Sequence, residues 1–216
     1  MRLVLASASP ARLALLRSAG VDPIVLVSGV DEPAVVARYG VTDPLDVCLV
    51  LARAKAEDVA GRLEELDPLE DAGALVVGCD SVLELDGEVH GKPADAAEAA
   101  ARWRRMRGRS GVLHTGHWLV DAREDGGTGA TLGAVSSTTV RFADLDDEEV
   151  EAYVATGEPL RVAGAFTLDG LGGPYVEALK GEPSAVVGLG LATLRSLLAD
   201  AGVRWSALRR PLPPSS

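Results

Sequence analysis

Two spacings of apolar residues alternate along the chain. Residues 3–6 are an unbroken apolar run, the pattern of a buried strand. Ser9 and Pro10 then signal a helix start, a capping hydroxyl before a proline at the first helical position, and the helix runs to about Ala19 before Gly20. A second strand is expected over 23–27. Asp43 and Pro44 repeat the cap-plus-proline signal and open a long helix to about Leu63. A polar, acidic stretch at 64–73 leads into the strongest strand pattern of the chain, residues 74–78, and residues 82–89 read as a hairpin turning at Asp86 and Gly87. Asp95 and Glu98 have the spacing of a capping box for the helix that carries Trp103. Residues 112–122 and 133–142 flank a Gly-rich loop at 125–129 and read as paired antiparallel strands. Asp146 and Glu149 start another helix, which stops near Gly157. The Gly-rich, β-forming segment 162–176 predicts strands joined by tight turns, and a last helix covers 189–201 with Gly202 as its stop.

Strands and helices alternate early, and the middle is hairpin-like. The expected class is therefore α/β, with a mixed, twisted sheet and flanking helices rather than a purely parallel sheet. One domain is expected over 1–205, followed by a disordered tail over 206–216 that is rich in Pro and Ser from Arg210 onward. No internal repeat is present.

Composition narrows the function. A chain with 47% hydrophobic and 25% charged residues is globular. No apolar run approaches the roughly 20 residues that span a bilayer, and no signal peptide is read at the start. Cys48 and Cys79 each sit in an apolar stretch and read as buried free thiols, in keeping with a reducing cytoplasm. His114 and His117 are three apart in a strand pattern, so they face opposite sides and read as structural rather than as metal ligands. The net charge of −11 argues against broad binding to DNA, RNA or an anionic membrane. A small anionic ligand needs only a local cluster of donors.

Four places offer such donors. Ser9 and Arg12 follow the first strand at a helix N-terminus, where free backbone N–H groups and side-chain donors suit a phosphate; the plain alternative is that Ser9 only caps and Arg12 is solvated. Lys55 falls on the apolar side of its helix, opposite Asp46, Arg53 and Glu57, so it either reaches a partner or snorkels to water. Asp80 lies just past the 74–78 strand, where ligand sites of α/β sheets gather and where a carboxylate can hold a metal or accept a proton; alternatively it bonds its own loop. Lys92 sits between Gly91 and Pro93 in a stiffened turn, without the glycine spacing of a P-loop. Asp31 and Glu32 are either carboxylates for Mg²⁺ or a polar loop. The dense run Arg102, Arg104, Arg105, Arg107 and Arg109 reads as a solvated helix face. Together these signals describe a small anionic ligand with a metal.

These residues also resemble a known family. The opening Leu-Ala-Ser-Ala-Ser-Pro-Ala-Arg-Leu-Ala-Leu-Leu, with its Ser-x-x-Arg core at Ser9 and Arg12, is similar to the first motif of Maf proteins. Asp31 and Glu32, the segment around Lys55, Gly78-Cys-Asp80-Ser81, and Gly91-Lys92-Pro93 follow in the family's order. Thr139 to Phe142, Glu158-Pro159, Ala163 to Phe166 and Val187-Gly-Leu189 complete it, so the resemblance covers residues 2 to 202. It implies nucleoside triphosphate pyrophosphatase activity on a fold similar to that of inosine triphosphatase, two lobes around a nucleotide cleft. It also implies Asp80 as proton acceptor. Ser9, Arg12, Lys55 and Lys92 belong to the triphosphate site, and Glu32 with Asp80 to a divalent metal, Mg²⁺ or Mn²⁺. Family members are associated with cell division arrest and with removing noncanonical or excess nucleotides. Dimers are common among them, and no feature of this sequence forces one.

The chain departs from the family pattern at Ala11, Val162, Asp169 and Gly190, where many members carry Arg, Lys, Gln and Pro. Asp169 matters most, because an anion that only accepts replaces an amide that also donates; if that position reads base or sugar, substrate preference shifts. Two other readings stand beside hydrolysis, a non-catalytic nucleotide sensor that regulates septum formation and a transferase using an acceptor other than water.

Overall fold

The computed structural model describes residues 1–63, 74–124 and 126–209. The acidic connection at 64–73, Asp125 in the Gly-rich loop and the chain end from 210 lie outside the described residues. The expected α/β class holds: seven strands form one mixed sheet in the order β2-β1-β3-β5-β6-β7, with β4 beside β3, and helices pack on both faces.

Strands β1 (Leu3–Leu5) and β2 (Ile24–Val25) are parallel neighbours, and β1 runs parallel to the first residues of β3 (Ala74–Leu85). On its other edge β3 pairs antiparallel with β5 (Ser110–Ala122), residue for residue from Ala74↔Ala122 to Glu84↔Val112. Strand β6 (Thr131–Phe142) continues the antiparallel ladder, and β7 (Val176–Lys180) closes it. The turn at Asp86 and Gly87, both at positive φ, returns the chain as β4 (Glu88–His90).

Helix α1 (Pro10–Ser18) starts at Ser9, whose hydroxyl accepts from the Arg12 N–H. Helix α3 (Pro44–Ala60) starts at Asp43 and buries Val47, Cys48, Leu51, Ala52, Lys55, Ala56 and Val59. The stripe is apolar apart from Lys55, as the sequence pattern required. It lies unusually deep on the sheet. A Cβ built on Gly78 would stand 2.2 Å from the Ala52 carbonyl oxygen, and one on Gly116 would stand 2.3 Å from that of Cys48. Only glycine lets the helix backbone lie directly on the strands.

The core is divided along the long strands. At one end Leu3, Leu5, Leu75, Val77 and Cys79 pack against Leu16 of α1 and against Leu194, Leu197 and Leu198 of α7 (Leu191–Asp200). On the opposite face Val4, Ala6 and Val76 meet Ala56 and Val59 of α3. At the other end Leu83, Leu85, Leu113 and Phe142 enclose Trp103 and Met106 of α4 (Ala96–Met106) and Val150 and Tyr153 of α5 (Asp147–Ala155). Both thiols are free and buried, and burial pushes them up, Cys48 to about 12 and Cys79 to about 11.

Several local expectations are corrected. The strand at 74–78 and the outgoing arm of the 82–89 hairpin are one continuous strand, because β5 pairs across the polar residues between them. The strand expected over 23–27 is only Ile24–Val25. Glu32 is not in a loop but opens helix α2 (Glu32–Tyr39), capped by Asp31 and ended by Gly40 in the left-handed region; it buries no residue, so no apolar period announced it. The segment 162–176 holds short 3₁₀ turns at Ala163–Ala165 and Gly173–Tyr175, with its strand only from Val176. A short helix α6 (Pro183–Val187) precedes α7. The packed body passes the boundary expected at 205: Leu208 is buried and Arg209 bridges Val21.

Adding a methyl at Gly116 forces α3 off the sheet. Gly116→Ala is expected to lose on the order of 1–3 kcal/mol in a denaturant titration, the usual range for overpacking. An unchanged midpoint would show that the helix is free to shift.

Candidate active site

One edge of β3 is shared by two partners and left open between them. Strand β1 pairs as far as Val77, where the Ala6 N–H still reaches the Val77 carbonyl, and β4 begins opposite Leu83. Over residues 78–82, about 16 Å at ~3.3 Å per residue, that edge has no strand among the described residues. The sheet thus has a notch in its middle, where β3 carries a pairing strand on one edge only. Asp80 lies in this stretch rather than beyond a strand end, which corrects its expected placement.

Asp80 and Ser81 face opposite ways, as successive strand residues must. Asp80 is buried on the α3 face, where its Oδ1 meets Lys55 Nζ at 2.6 Å. The same ammonium meets Glu32 Oε1 from the start of α2 at 2.7 Å. Lys55 therefore does not snorkel; it cross-links two carboxylates from different elements. Burial raises the Asp80 carboxyl above its ordinary value, against the opposing pull of Lys55 and Arg12. Burial also acts upward on Glu32, but its bond to Lys55 and the charges of Lys55, Lys92 and Arg12 outweigh it and hold that carboxyl low. One acid is thus poised to take a proton, while its neighbour stays ionised.

Arg12 approaches from the α1 side. Its Nε donates to the Gly188 carbonyl at 2.7 Å, Nη1 to Ser7 Oγ at 3.1 Å and Nη2 to Ser81 Oγ at 3.4 Å. It is a held cation rather than a solvated one. Ser81 also shares a hydrogen bond with Thr115, which donates to the Ala185 carbonyl. Ser9 caps α1 at the same end of the helix. Lys92 is exposed after β4, and its charge reaches Glu32. Arg12, Glu32, Lys55, Asp80 and Lys92 are therefore brought together. Asp169 is not: it is exposed in a loop and makes no hydrogen bond or ion pair to this group among the described residues. The loop itself is shaped by Glu158, which accepts from Tyr153, Thr167, Leu171 and Gly172.

Sequence reasoning missed the supports. Ser7 and Ser81 lie inside motifs the sequence marked, but their bonds to Arg12 could not be read from it. Glu182 accepts from the Ala192 N–H and from the side chains of Ser136, Ser184 and Thr193, fastening the turn that presents Gly188 to Arg12. His117, buried and held neutral with its pKa lowered to about 4, accepts from the Gly190 N–H. His114 is held by Ser137 and Glu84. Both histidines are structural, as read. Arg102 corrects the view of its run as a solvated face: it is buried and donates to the Gly91 carbonyl at 2.6 Å. The rest of the run is exposed or half-buried and ion-paired: Arg104 and Arg107 with Asp147, Arg105 with Glu88, and Arg109 with Asp86.

Fold and site together define an α/β protein whose mixed sheet brings two carboxylates and a held lysine and arginine to one stretch of β3. The model of the Maf-like protein family matches residues 2–201, and the chain belongs to that family. It is 59% identical over 201 residues to a nucleoside triphosphate pyrophosphatase of Salinispora tropica, spanning 93% of this chain and 84% of that one. Its identity to the protein of that name in Streptomyces coelicolor is 54% over 210 residues, covering 97% and 95% of the two chains. For the protein of that name in Leifsonia xyli it is 51% over 212 residues, covering 96% of each.

The electrostatics are open to a direct check. Asp80 is expected to titrate above the ordinary Asp value of about 3.9. Lys55→Met removes the cation that opposes burial, so the pKa must rise further. Carboxyl carbon chemical shifts followed through an acid titration read both; a fall in the Asp80 pKa in Lys55→Met would contradict the arrangement.

Proposed function

We propose that this chain hydrolyses a nucleoside triphosphate to the monophosphate and pyrophosphate. The observation that carries the reading is the Lys55 ammonium, buried between Asp80 and Glu32 with Arg12 and Lys92 around it. A triphosphate brings about four negative charges, and three side-chain cations converge on the notch that would receive them. Lys55, now held by two carboxylates, becomes available to phosphate oxygens as substrate enters. Arg12 and the N-terminus of α1 at Ser9 supply further donors. Asp80 takes the proton of a water whose oxygen attacks the α-phosphorus; the bond to the α–β bridging oxygen breaks and pyrophosphate departs with the electron pair. A raised carboxyl pKa makes Asp80 a better acceptor than an exposed aspartate.

The donor set also fits a divalent cation. Among the described residues no three of His, Cys, Asp and Glu gather at one point. Glu32 and Asp80 already converge on one positive centre, and Mg²⁺ is commonly held by one or two carboxylates plus substrate phosphates. Bound there, Mg²⁺ or Mn²⁺ would supply positive charge to the phosphate oxygens. Asp169 is proposed to contact the base or sugar, in a loop whose shape Glu158 fixes. The reaction is proposed to be cytoplasmic, a reading supported by the two buried free thiols.

A panel of standard and modified nucleoside triphosphates, with Mg²⁺, Mn²⁺ or EDTA, tests this by scoring monophosphate and pyrophosphate. Wild type is expected to release both in equal amounts, and Asp80→Asn to lose roughly 10²–10⁴-fold in kcat. Tight nucleotide binding without turnover in any metal would instead make the chain a sensor, and product that requires an acceptor other than water would make it a transferase. In the same assay Asp169→Gln is expected to change the order of preferred bases while kcat for the best substrate stays within about threefold, because Asp169 lies apart from the proton acceptor.

A further inference from the structure

Lys92 is exposed, and a lysine on a free loop would be a poor anchor for phosphate. Its main chain is not free. The Gly91 carbonyl, immediately before it, accepts from Arg102 Nη1 at 2.6 Å and from the Gly164 N–H at 3.1 Å. Two residues after it the Ala94 N–H donates to Glu98 Oε2 at 2.8 Å. The other oxygen of Glu98 accepts from Arg102 Nη2. One ion pair, on successive turns of α4, therefore grips the Lys92 turn at both ends, and Pro93 between the grips is buried. The grip is anchored in turn: the neighbouring Trp103 donates to the Ala165 carbonyl at 2.7 Å, fixing the turn that carries Gly164.

Arg102 is otherwise hard to explain. Its side chain is only 4% exposed, whereas the other arginines of the run are a third to a half exposed. Burying a guanidinium costs free energy unless its donors are used. Here the planar fork spends its donors on one carbonyl and one carboxylate, a geometry a lysine ammonium cannot reproduce. Glu98 likewise departs from a simple capping box. Asp95 caps the Glu98 N–H, but Glu98 reaches past the cap residue to Ala94, toward Lys92.

We propose that Arg102 and Glu98 are positioning residues that set Lys92 for the substrate through the main chain of its turn. This rests on the reading of Lys92 as a phosphate contact. Positional errors of about 1 Å in such a contact carry large rate penalties. Releasing the Gly91 carbonyl should cost activity only while Lys92 is there to be misplaced.

A double-mutant cycle tests it. Arg102→Met, Lys92→Ala and the pair are compared with wild type in kcat and KM for the best triphosphate, with thermal midpoints alongside. Arg102→Met is expected to lose about tenfold in kcat/KM in the wild-type background and less than about twofold in the Lys92→Ala background. A structural role alone would lower the midpoint and leave the activity losses multiplicative. If the loss from Arg102→Met persists in full without Lys92, the positioning role is overturned while the Lys92 assignment stands. If Lys92→Ala itself retains wild-type kcat/KM, the Lys92 assignment falls, and the inference with it. Glu98 is half-exposed, so Glu98→Ala runs the same cycle should Arg102→Met fail to fold, with the same outcomes deciding.

Discussion

The architecture depends on how closely α3 lies on the sheet. Gly78 and Gly116 lie diagonally across the β3–β5 ladder, Gly116 directly opposite Asp80 and Gly78 two residues before it. They remove the side chains that would otherwise hold helix and strands at ordinary packing distance. The helix backbone settles onto β3 and β5, and Lys55 reaches Asp80 from the middle of an otherwise apolar stripe. Moving the helix outward by the width of a methyl would stretch the buried Lys55–Asp80 pair as well as disturb the packing. The same contact raises the demand on Glu32, because a single ammonium buried between two carboxylates joins α2, α3 and β3 at one point.

The notch explains why chemistry gathers there. Strand β3 is longer than either partner on its open edge, so β1 and β4 serve its two ends and leave the centre bare. Side chains alternate across a strand, so one short stretch offers Asp80 to one face and Ser81 to the other. Cations can then converge from helices on both sides, Lys55 from α3 and Arg12 from α1, without crowding one surface. The two ends of the core pack independently around this gap.

Around the site, acidic residues are used as fasteners more than as reactants. Glu158, Glu182 and Glu98 each accept from two or more groups and each shape a loop, respectively the one with Asp169, the one with Gly188 and the one with Lys92. Protein amides, hydroxyls and, for Glu98, the Arg102 guanidinium bond these carboxylates. The loops are consequently held from outside the cluster of Arg12, Lys55, Asp80 and Glu32. The net charge of −11 is thus compatible with a local anion site, because much of the acidity is directed into loops, caps and surface ion pairs.

The sequence by itself determined most helices and their starts. Ser9, Asp43, Asp95 and Asp146 each cap their own first turn, an interaction local enough to be read from four residues. It also marked Lys55 as out of place, since a charge within an apolar period is visible without knowing its partner. Motif order singled out Asp80 and Lys92 as candidates. Tertiary structure decided the rest. The continuity of β3 through Gly78, Asp80 and Ser81 comes from β5, some 35 residues away, and no local propensity predicts it. Helix α2 fully buries no residue and only half-buries Val35 and Val36, so its apolar signal was weak, and its cap at Asp31 was read as either a metal carboxylate or part of a polar loop. Arg102 looks like its exposed neighbours in the chain. Only the fold, by bringing Gly91 beneath it, makes it a buried clamp, because burial and hydrogen-bond partners are properties of the packed chain and not of residue type.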